Sequence, residues 1–205
     1  MISAISQGLD PKHSASQAFL WPIVRDFLPR LDKARILDIG CGPGNQARSL
    51  ADLGYDVVGI DISAEAVAEA QRHVPEGCFH VADVYDLPCS VLEGKFDVVI
   101  ALEVIEHLYH PGRLLQAADG CLRPGGTLIL STPYHGYAKN LSISILGRWD
   151  AHFNTREDGW HIKFFSPRTL RSLIENEGFV DIRFRYGGRL PFFWKSMACR
   201  ARKLS

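Results

Sequence analysis

Between Ile36 and Gly44 the chain reads Ile-Leu-Asp-Ile-Gly-Cys-Gly-Pro-Gly, apolar residues and an acid running into three glycines at alternate positions. Glycine tolerates positive φ and carries no Cβ, so such a turn lets a ligand approach the main chain closely. Nucleotide-like ligands bind at turns of this kind, at the carboxyl end of a parallel strand. The spacing narrows the ligand. A dinucleotide fingerprint is G-x-G-x-x-G, whereas Gly40, Gly42 and Gly44 give G-x-G-x-G, and Asn45 holds the place of the third dinucleotide glycine. Asp38, two residues before the first glycine, would repel a pyrophosphate and suits a cationic ligand.

Two further acids stand where such a ligand would need them. Asp61 ends the run Tyr55–Ile60, about 20 residues past the first strand, where a carboxylate takes up vicinal ribose hydroxyls. Its plainer use is to cap the following helix, but Ser63 is the better cap and leaves Asp61 to the ribose. Asp83 follows a third apolar run and can accept from an adenine amino group while Val84 donates its main-chain N–H; the alternative is an ordinary turn aspartate.

A second cluster is Glu103-Val104-Ile105-Glu106-His107. Residues three and four apart share one face of a helical turn. Two carboxylates and an imidazole placed so suit Mg²⁺, Mn²⁺ or Zn²⁺. The same residues also have structural uses: Glu103 can line the ligand pocket, Glu106 can pair with an arginine, and His107 can pack over the ligand. Three more histidines, His135, His152 and His161, follow in one long segment and are the candidates for a general base.

These residues need a frame, and the hydrophobic pattern supplies it. Ser16–Leu31 has apolar positions at helical spacing, with Pro22 placed in its first turns. Strands are expected at Arg35–Ile39, Tyr55–Asp61, Gly77–Ala82, Lys95–Ala101 and Thr127–Ser131, with helices at 45–53, 64–73 and 111–122 between them. Arg123-Pro124-Gly125-Gly126 reads as a turn. This alternation is that of a doubly wound α/β sheet. Ser166–Gly178 reads as a capped helix, and Val180–Tyr186 and Lys195–Lys203 as two last strands. Residues 1–14 are expected to be an arm or lid, making 1–31 an N-terminal arm and helix. Residues 133–165 are an insertion at the carboxyl end of a strand, the usual place for an active-site lid.

The 205 residues make one domain. Lys+Arg and Asp+Glu are both 23, which argues against bulk nucleic-acid binding. Five cysteines without C-x-x-C spacing (Cys41, Cys78, Cys89, Cys121, Cys199) read as reduced thiols in the cytoplasm. The sequence shows neither a signal-peptide pattern nor an apolar window long enough for a membrane span.

The stretch Asp38–Gly44 resembles motif I of the class I S-adenosylmethionine-dependent methyltransferases, whose cofactor carries a sulfonium and an ammonium and no phosphate. Asp61, Ala82-Asp83 and Leu122-Arg123-Pro124-Gly125-Gly126 extend the resemblance over residues 16–205. It implies a Rossmann-like seven-stranded sheet with an antiparallel C-terminal hairpin. It also implies a cofactor site at Asp38, Ile39, Gly40, Cys41, Gly42, Gly44, Asn45, Asp61, Ile62, Asp83, Val84, Ala101, Leu102, Glu103 and His107. S-adenosylhomocysteine would be the product.

Glu103–His107 resembles the E-V-x-E-H stretch of the ubiquinone-biosynthesis O-methyltransferases, and a similar stretch occurs in small-RNA 2′-O-methyltransferases. In those families it is associated with a divalent metal, with a further histidine from the loop after the fifth strand. By that resemblance the ligands are Glu103, Glu106, His107 and His161. His161 precedes the Lys163-Phe164 pair by two residues where the quinone family has four, so His135 and His152 stay open as alternatives.

The acceptor implied is a hydroxyl on a small hydrophobic molecule, a prenylated quinol, catechol or other phenol. Alternatives are a natural-product acceptor, an RNA 3′ end, or a module that binds the cofactor without catalysis. An NAD-dependent oxidoreductase is disfavoured by Asp38 and the missing third glycine. Leu141, Ile143, Ile145, Leu146, Trp149 and Phe153, bracketed by Lys139 and Arg148, form an apolar surface, and Phe192-Phe193-Trp194-Lys195 repeats the theme. Apolar groups beside basic ones suit a membrane interface or an isoprenoid tail; a lid packing on its own domain is the competing use. The sequence leaves the oligomeric state open.

Overall fold

In the computed structural model, described for residues 11–29, 31, 33–87, 92, 95–153 and 160–204, seven strands form one sheet. The chain runs α1 (Pro11–Phe27), β1 (Arg35–Ile39), α2 (Asn45–Ala51), β2 (Asp56–Asp61), α3 (Ala64–His73), β3 (Cys78–Val81), β4 (Phe96–Leu102), α4 (Pro111–Cys121) and β5 (Leu122–Pro133). It continues through α5 (Tyr137–Ile145), α6 (Pro167–Asn176), β6 (Val180–Gly187) and β7 (Ser196–Arg202). The strand order is β3-β2-β1-β4-β5-β7-β6, with β1 to β5 parallel and β7 antiparallel to both β5 and β6. The seven-stranded doubly wound sheet with its C-terminal hairpin is borne out.

Central strands that are apolar at consecutive positions bury both faces. Ile36, Val57, Val98, Ile100 and Ile129 face a core completed by Leu20 and Val24 of α1, Leu50 of α2 and Ala70 of α3. Leu37, Val58, Val99, Leu128 and Leu130 face the opposite core, completed by Leu114 and Ala118 of α4 and Leu170 and Ile174 of α6. The sheet is therefore covered on both sides, and crossovers from β1 and β4 lie on different faces. The gap between these neighbouring strands is the switch point at which an open α/β sheet binds its ligand.

Helix caps follow the sequence. Ser63 accepts the Ala66 N–H, and Ser166 caps α6 in a reciprocal box with Thr169, with Pro167 in the first turn. Gly178 ends that helix with φ 84°.

Several boundaries differ from expectation. α1 starts at Pro11 and ends at Phe27, which makes 11–14 helical and leaves Pro22 in the helix interior. Positions 1–10 of the expected arm lie outside the described residues. The turn Arg123–Gly126 is an excursion within β5: Leu122 pairs with Phe96 and Thr127 with Val98, on either side of it. Asp97, opposite the excursion, fastens it by pairing with Arg123 and accepting the Arg35 N–H at 2.8 Å. Among the cysteines, Cys41, Cys78 and Cys199 are free, but Cys121 is disulfide-bonded, contrary to the expectation that all thiols are reduced.

Candidate functional site

The glycine turn sits at the carboxyl end of β1, beside the switch point. Gly40, Gly42 and Gly44 have φ of 74°, 51° and 85°, all left-handed, which side-chain-bearing residues adopt at a cost. Packing adds a second demand at two of them. A Cβ on Gly40 would meet Val104 at 2.5 Å, and one on Gly44 would meet the Ala70 Cα at 2.9 Å. A Cβ on Gly42 would meet nothing within 4 Å. The middle glycine thus faces open space, and the turn presents bare main chain there.

The turn is pinned to the end of β2. The N–H groups of Gly40 and Cys41 donate to the Ile60 carbonyl at 2.8 and 3.0 Å. The Asp61 carboxylate accepts the Gly42 N–H on one oxygen and the Ser63 N–H on the other, each at 2.9 Å. Ser63 caps α3 as expected, yet Asp61 is not left free: it holds the turn. Each of its oxygens keeps a second lone pair for a hydroxyl donor. Ile62 stands exposed beside it. Asp83 accepts the Tyr85 N–H at 2.9 Å, the turn-capping use, and Val84 opens a short 3₁₀ turn.

Asp38 is 2 % exposed, and its Oδ2 has no hydrogen-bond partner. Burial, with the Asp61 charge adding to it, pushes its pKa up to about 7. Behind the turn, Gln46 is buried with an unpartnered amide nitrogen, a polar group the sequence pattern did not single out. Ile39 and Ala101 are core residues, enclosed below the edge, and Leu102 is half-buried against the core on the α1 face. Asn45 begins α2 behind the Gly44 cap. Cys41 is buried, and its thiol pKa is driven far up by desolvation.

At the end of β4 the main chain of Glu103 takes φ 56°, a strained value for a residue with a side chain. Its N–H donates to the Ser131 Oγ at 3.0 Å, and that hydroxyl donates back to Oε1 at 2.8 Å. Ser196 at the start of β7 donates to Oε2 at 3.4 Å. Burial raises the Glu103 pKa to about 7 against the pull of these serines.

Glu106, three residues on, is fully buried, and neither oxygen has a hydrogen bond. Desolvation, then the Glu103 charge, holds its pKa well above the carboxylate range, and the Thr132 hydroxyl does little against them. Its main-chain carbonyl accepts the N–H groups of Ile162 and Lys163 at 2.9 and 3.0 Å. That anchor brings His161 alongside. One ligand atom each of Glu106, His107 and His161 lies within 4.8 Å of the others. The two imidazoles meet edge to face at 4.9 Å, and Trp160 stacks on His161 at 5.1 Å. A buried carboxylate beside two imidazoles, with the His161 Nε2 3.9 Å from its Oε1, fits a divalent cation. Of the four expected ligands Glu103 stands outside this group, held instead by Ser131 and Ser196.

The three base candidates do not converge. His161 belongs to the Glu106 group. His135 lies against Phe153 and Phe164, at 5.8 and 5.1 Å, and burial lowers its pKa to about 4, with the Lys139 charge pushing the same way. His152 is exposed, with Nδ1 3.1 Å from the Arg148 carbonyl oxygen. Lys139 turns inward: its Nζ donates to the Tyr134 carbonyl at 2.7 Å. Burial, then Arg189, lowers its pKa to about 8 against the attraction of Glu103.

The expected apolar surface is present with two changes. Tyr137, Leu141, Ile145, Leu146 and Trp149 are exposed, Ile145 by 74 %, but Ile143 is buried and Phe153 stacks beneath Trp149. Phe192 and Phe193 are exposed, whereas Trp194 stacks on Tyr186 at 4.4 Å.

Residues 14–183 match a family model described as a methyltransferase domain. The chain belongs to that family. It is 39 % identical over 163 residues to a ubiquinone biosynthesis O-methyltransferase of Xanthomonas oryzae, covering 76 % of this chain and 67 % of the relative. To the enzyme of that name from a Bradyrhizobium species it is 35 % identical over 157 residues, covering 71 % and 58 %. The chain thus spans little more than half the length of several curated relatives it matches. Among solved structures it is similar to an S-adenosylmethionine-dependent methyltransferase from Mesorhizobium loti, with TM-score 0.68, 21 % identity and coverage of 90 % and 97 %. It is also similar to magnesium protoporphyrin IX methyltransferase from Synechocystis, solved with bound S-adenosylhomocysteine, with TM-score 0.63, 24 % identity and coverage of 94 % and 82 %. Haemonchus contortus phosphoethanolamine N-methyltransferase 2 gives TM-score 0.67 at 19 % identity, covering 90 % of this chain and 52 % of that one. These likenesses are of fold: the sheet is that of the class I methyltransferases.

Proposed function

We propose that this protein transfers the methyl group of S-adenosylmethionine to a hydroxyl of a small hydrophobic acceptor of the prenylated quinol, catechol or phenol class. The observation that carries the donor is the left-handed glycine turn at the switch point, open above Gly42 and backed by the buried Asp38 carboxylate, whose Oδ2 has no hydrogen-bond partner. A cationic sulfonium ligand suits a buried carboxylate that lacks a counter-charge. Asp61 has lone pairs left for ribose hydroxyls, and Asp83 for the adenine amino group. The similarity to ubiquinone biosynthesis O-methyltransferases supports the acceptor class.

Methyl transfer to oxygen is in-line displacement, and the chain's part is to orient the partners and exclude water. A phenol has a pKa of about 10, so it must lose a proton to become a good nucleophile. Glu106, His107 and His161 would hold a divalent cation, Mg²⁺, Mn²⁺ or Zn²⁺, which lowers the pKa of a bound hydroxyl. The exposed residues of α5 and of the 188–193 tip, with Arg148 and Arg189 beside them, suit peripheral contact with a membrane carrying such an acceptor. No helix among the described residues is long and apolar enough to cross one.

The test is methyl transfer from S-adenosylmethionine to a short-chain prenylated catechol by chelator-stripped protein, with and without added Mg²⁺, Mn²⁺ or Zn²⁺. Metal-dependent turnover that Glu106→Ala abolishes is the expected result. Turnover without metal would remove the cation from the reading. Tight S-adenosylhomocysteine binding without turnover would overturn the acceptor, and NADH binding in its place would overturn the donor.

A further inference from the structure

We propose that Lys139 is the base that takes the acceptor's hydroxyl proton, an inference that rests on the methyl-transfer reading above. Lysine normally extends its ammonium to water. Lys139, in the first turn of α5, folds back and donates to the main-chain carbonyl of Tyr134, just past the carboxyl end of β5. That places its nitrogen on the same edge as the Gly40–Gly44 turn and Glu103: β1 neighbours β4, and Leu102 pairs with Ser131 of β5.

The surroundings suit an oxygen that becomes an anion. Among the described residues no carboxylate lies within 4 Å of Lys139 or of Arg189. The charged and titratable groups that act on Lys139 are Arg189 from the β6–β7 connection, Glu103 from the end of β4 and His135 from the loop before α5. His152 lies beyond His135 and acts on it. The Arg189 charge opposes the Lys139 ammonium more than the Glu103 carboxylate favours it, so a neutral amine is favoured here and a developing phenolate is attracted. The three histidines do not supply this: His161 sits with Glu106, His135 is held neutral by burial, and His152 lies at the surface.

The step balances as follows. The acceptor O–H breaks, its proton goes to the neutral Lys139 amine, and the electron pair stays on oxygen. That oxygen bonds to the methyl carbon as the C–S bond breaks and its pair returns to sulfur. The Lys139 ammonium then releases the proton to solvent. The carbonyl of Tyr134 accepts from the amine throughout, which keeps the lone pair aimed away from that carbonyl.

The experiment compares wild type, Lys139→Met and Lys139→Arg from pH 6 to 10, measuring kcat with the prenylated catechol and S-adenosylhomocysteine affinity for each. Both variants should bind S-adenosylhomocysteine as wild type does and lose about 10²- to 10⁴-fold in kcat, the range of a removed general base. The wild-type rate should climb with pH through about 8, following loss of the lysine proton. Activity of Lys139→Arg within threefold of wild type would overturn the proposal, because arginine keeps the charge and cannot accept a proton. Loss of S-adenosylhomocysteine binding in both variants would overturn it in favour of a structural role. A direct readout separates this idea from the function it rests on: the Lys139 amine is followed by NMR after isotopic dimethylation, in the S-adenosylhomocysteine complex. Titration at the ordinary lysine value of about 10.4 overturns the base whether or not the catechol is the right acceptor.

Discussion

The turn after β1 and the cluster after β4 and β5 lie on one edge of one sheet, but they are held together by different means. In the turn, Gly40, Gly42, Gly44, Asp61 and Ser63 span a short stretch of chain, and the contacts are main-chain N–H groups to a carbonyl and one carboxylate. In the cluster, Glu103 is fixed by Ser131 and Ser196 from two other strands, and Glu106 by amides from Ile162 and Lys163. The first region recognises a ligand through backbone shape. The second gathers buried, mutually repelling acids whose partners come from far along the chain. A backbone-built site tolerates few side chains at its turn; a side-chain-built site is costly when nothing neutralises it.

The comparison breaks most sharply at Gly44. Gly44→Val adds a left-handed strain of about 1–2 kcal/mol and an overlap with the α3 backbone at Ala70 of about 1–3 kcal/mol more. Chemical denaturation should show that loss, and S-adenosylhomocysteine titration should show no binding. Gly42→Ala, with open space above it, should carry the left-handed strain of about 1–2 kcal/mol without the overlap, keeping the fold while affinity falls.

The next effect is on pH dependence. The folded pKa of Asp38 is raised from its ordinary 3.8 to about 7. The folded state therefore binds more protons than the unfolded state between those values, and stability falls as pH rises through that window. Calorimetry on the ligand-free protein should give a higher Tm at pH 5 than at pH 8. Asp38→Asn should flatten the profile, and Glu103, raised to about 7 as well, should leave a residual slope.

Glu106→Gln tests the side-chain-built region. Divalent-cation affinity, measured by calorimetric titration, should fall by at least the 10- to 100-fold that even outer-sphere changes cause. Metal-free stability should stay level or rise by about 1–3 kcal/mol, because a buried carboxylate without hydrogen bonds is replaced by a neutral amide. A large drop in metal-free stability would mean the carboxylate is satisfied in a way its surroundings do not show.

The smallest structural effect belongs to the exposed face of α5. Ile145→Glu should leave thermal stability within about 0.5 kcal/mol, as surface changes do. Sedimentation with vesicles containing anionic lipid should nevertheless drop several-fold, and an unchanged partition would assign the apolar face to some other contact.

The strands and helices were legible because each carries its own period. α3 and its Ser63 cap, the bounds of β1 and the box at the start of α6 depend on nearest neighbours alone. The turn at Arg123–Gly126 was legible too, but not its place inside β5, because that depends on Leu122 pairing with Phe96 and on Asp97 of β4 fastening Arg123. Nor was the interior place of Pro22, because where α1 begins and ends is set by its packing against β6 and β7, with Leu20 and Val24 in the core beneath it. In the site, the three glycines and the Glu106–His107 pair were readable from residue type, but the choice of His161 over His135 and His152 was not. The separation of Glu103 from that group, and the inward turn of Lys139 from the apolar face it was expected to flank, were not.

By itself, then, the sequence determined the alternation of strands and helices, the glycine turn that takes left-handed backbone at least cost, and the residue types able to meet a cationic donor and a divalent ion. These follow from local sterics and from periodicity, which act over a few residues. Tertiary structure alone decided which acids are buried without donors, which histidine reaches Glu106 and where Lys139 points. Those outcomes depend on desolvation and on hydrogen bonds between strands paired across long stretches of chain, and neither exists until the sheet has closed.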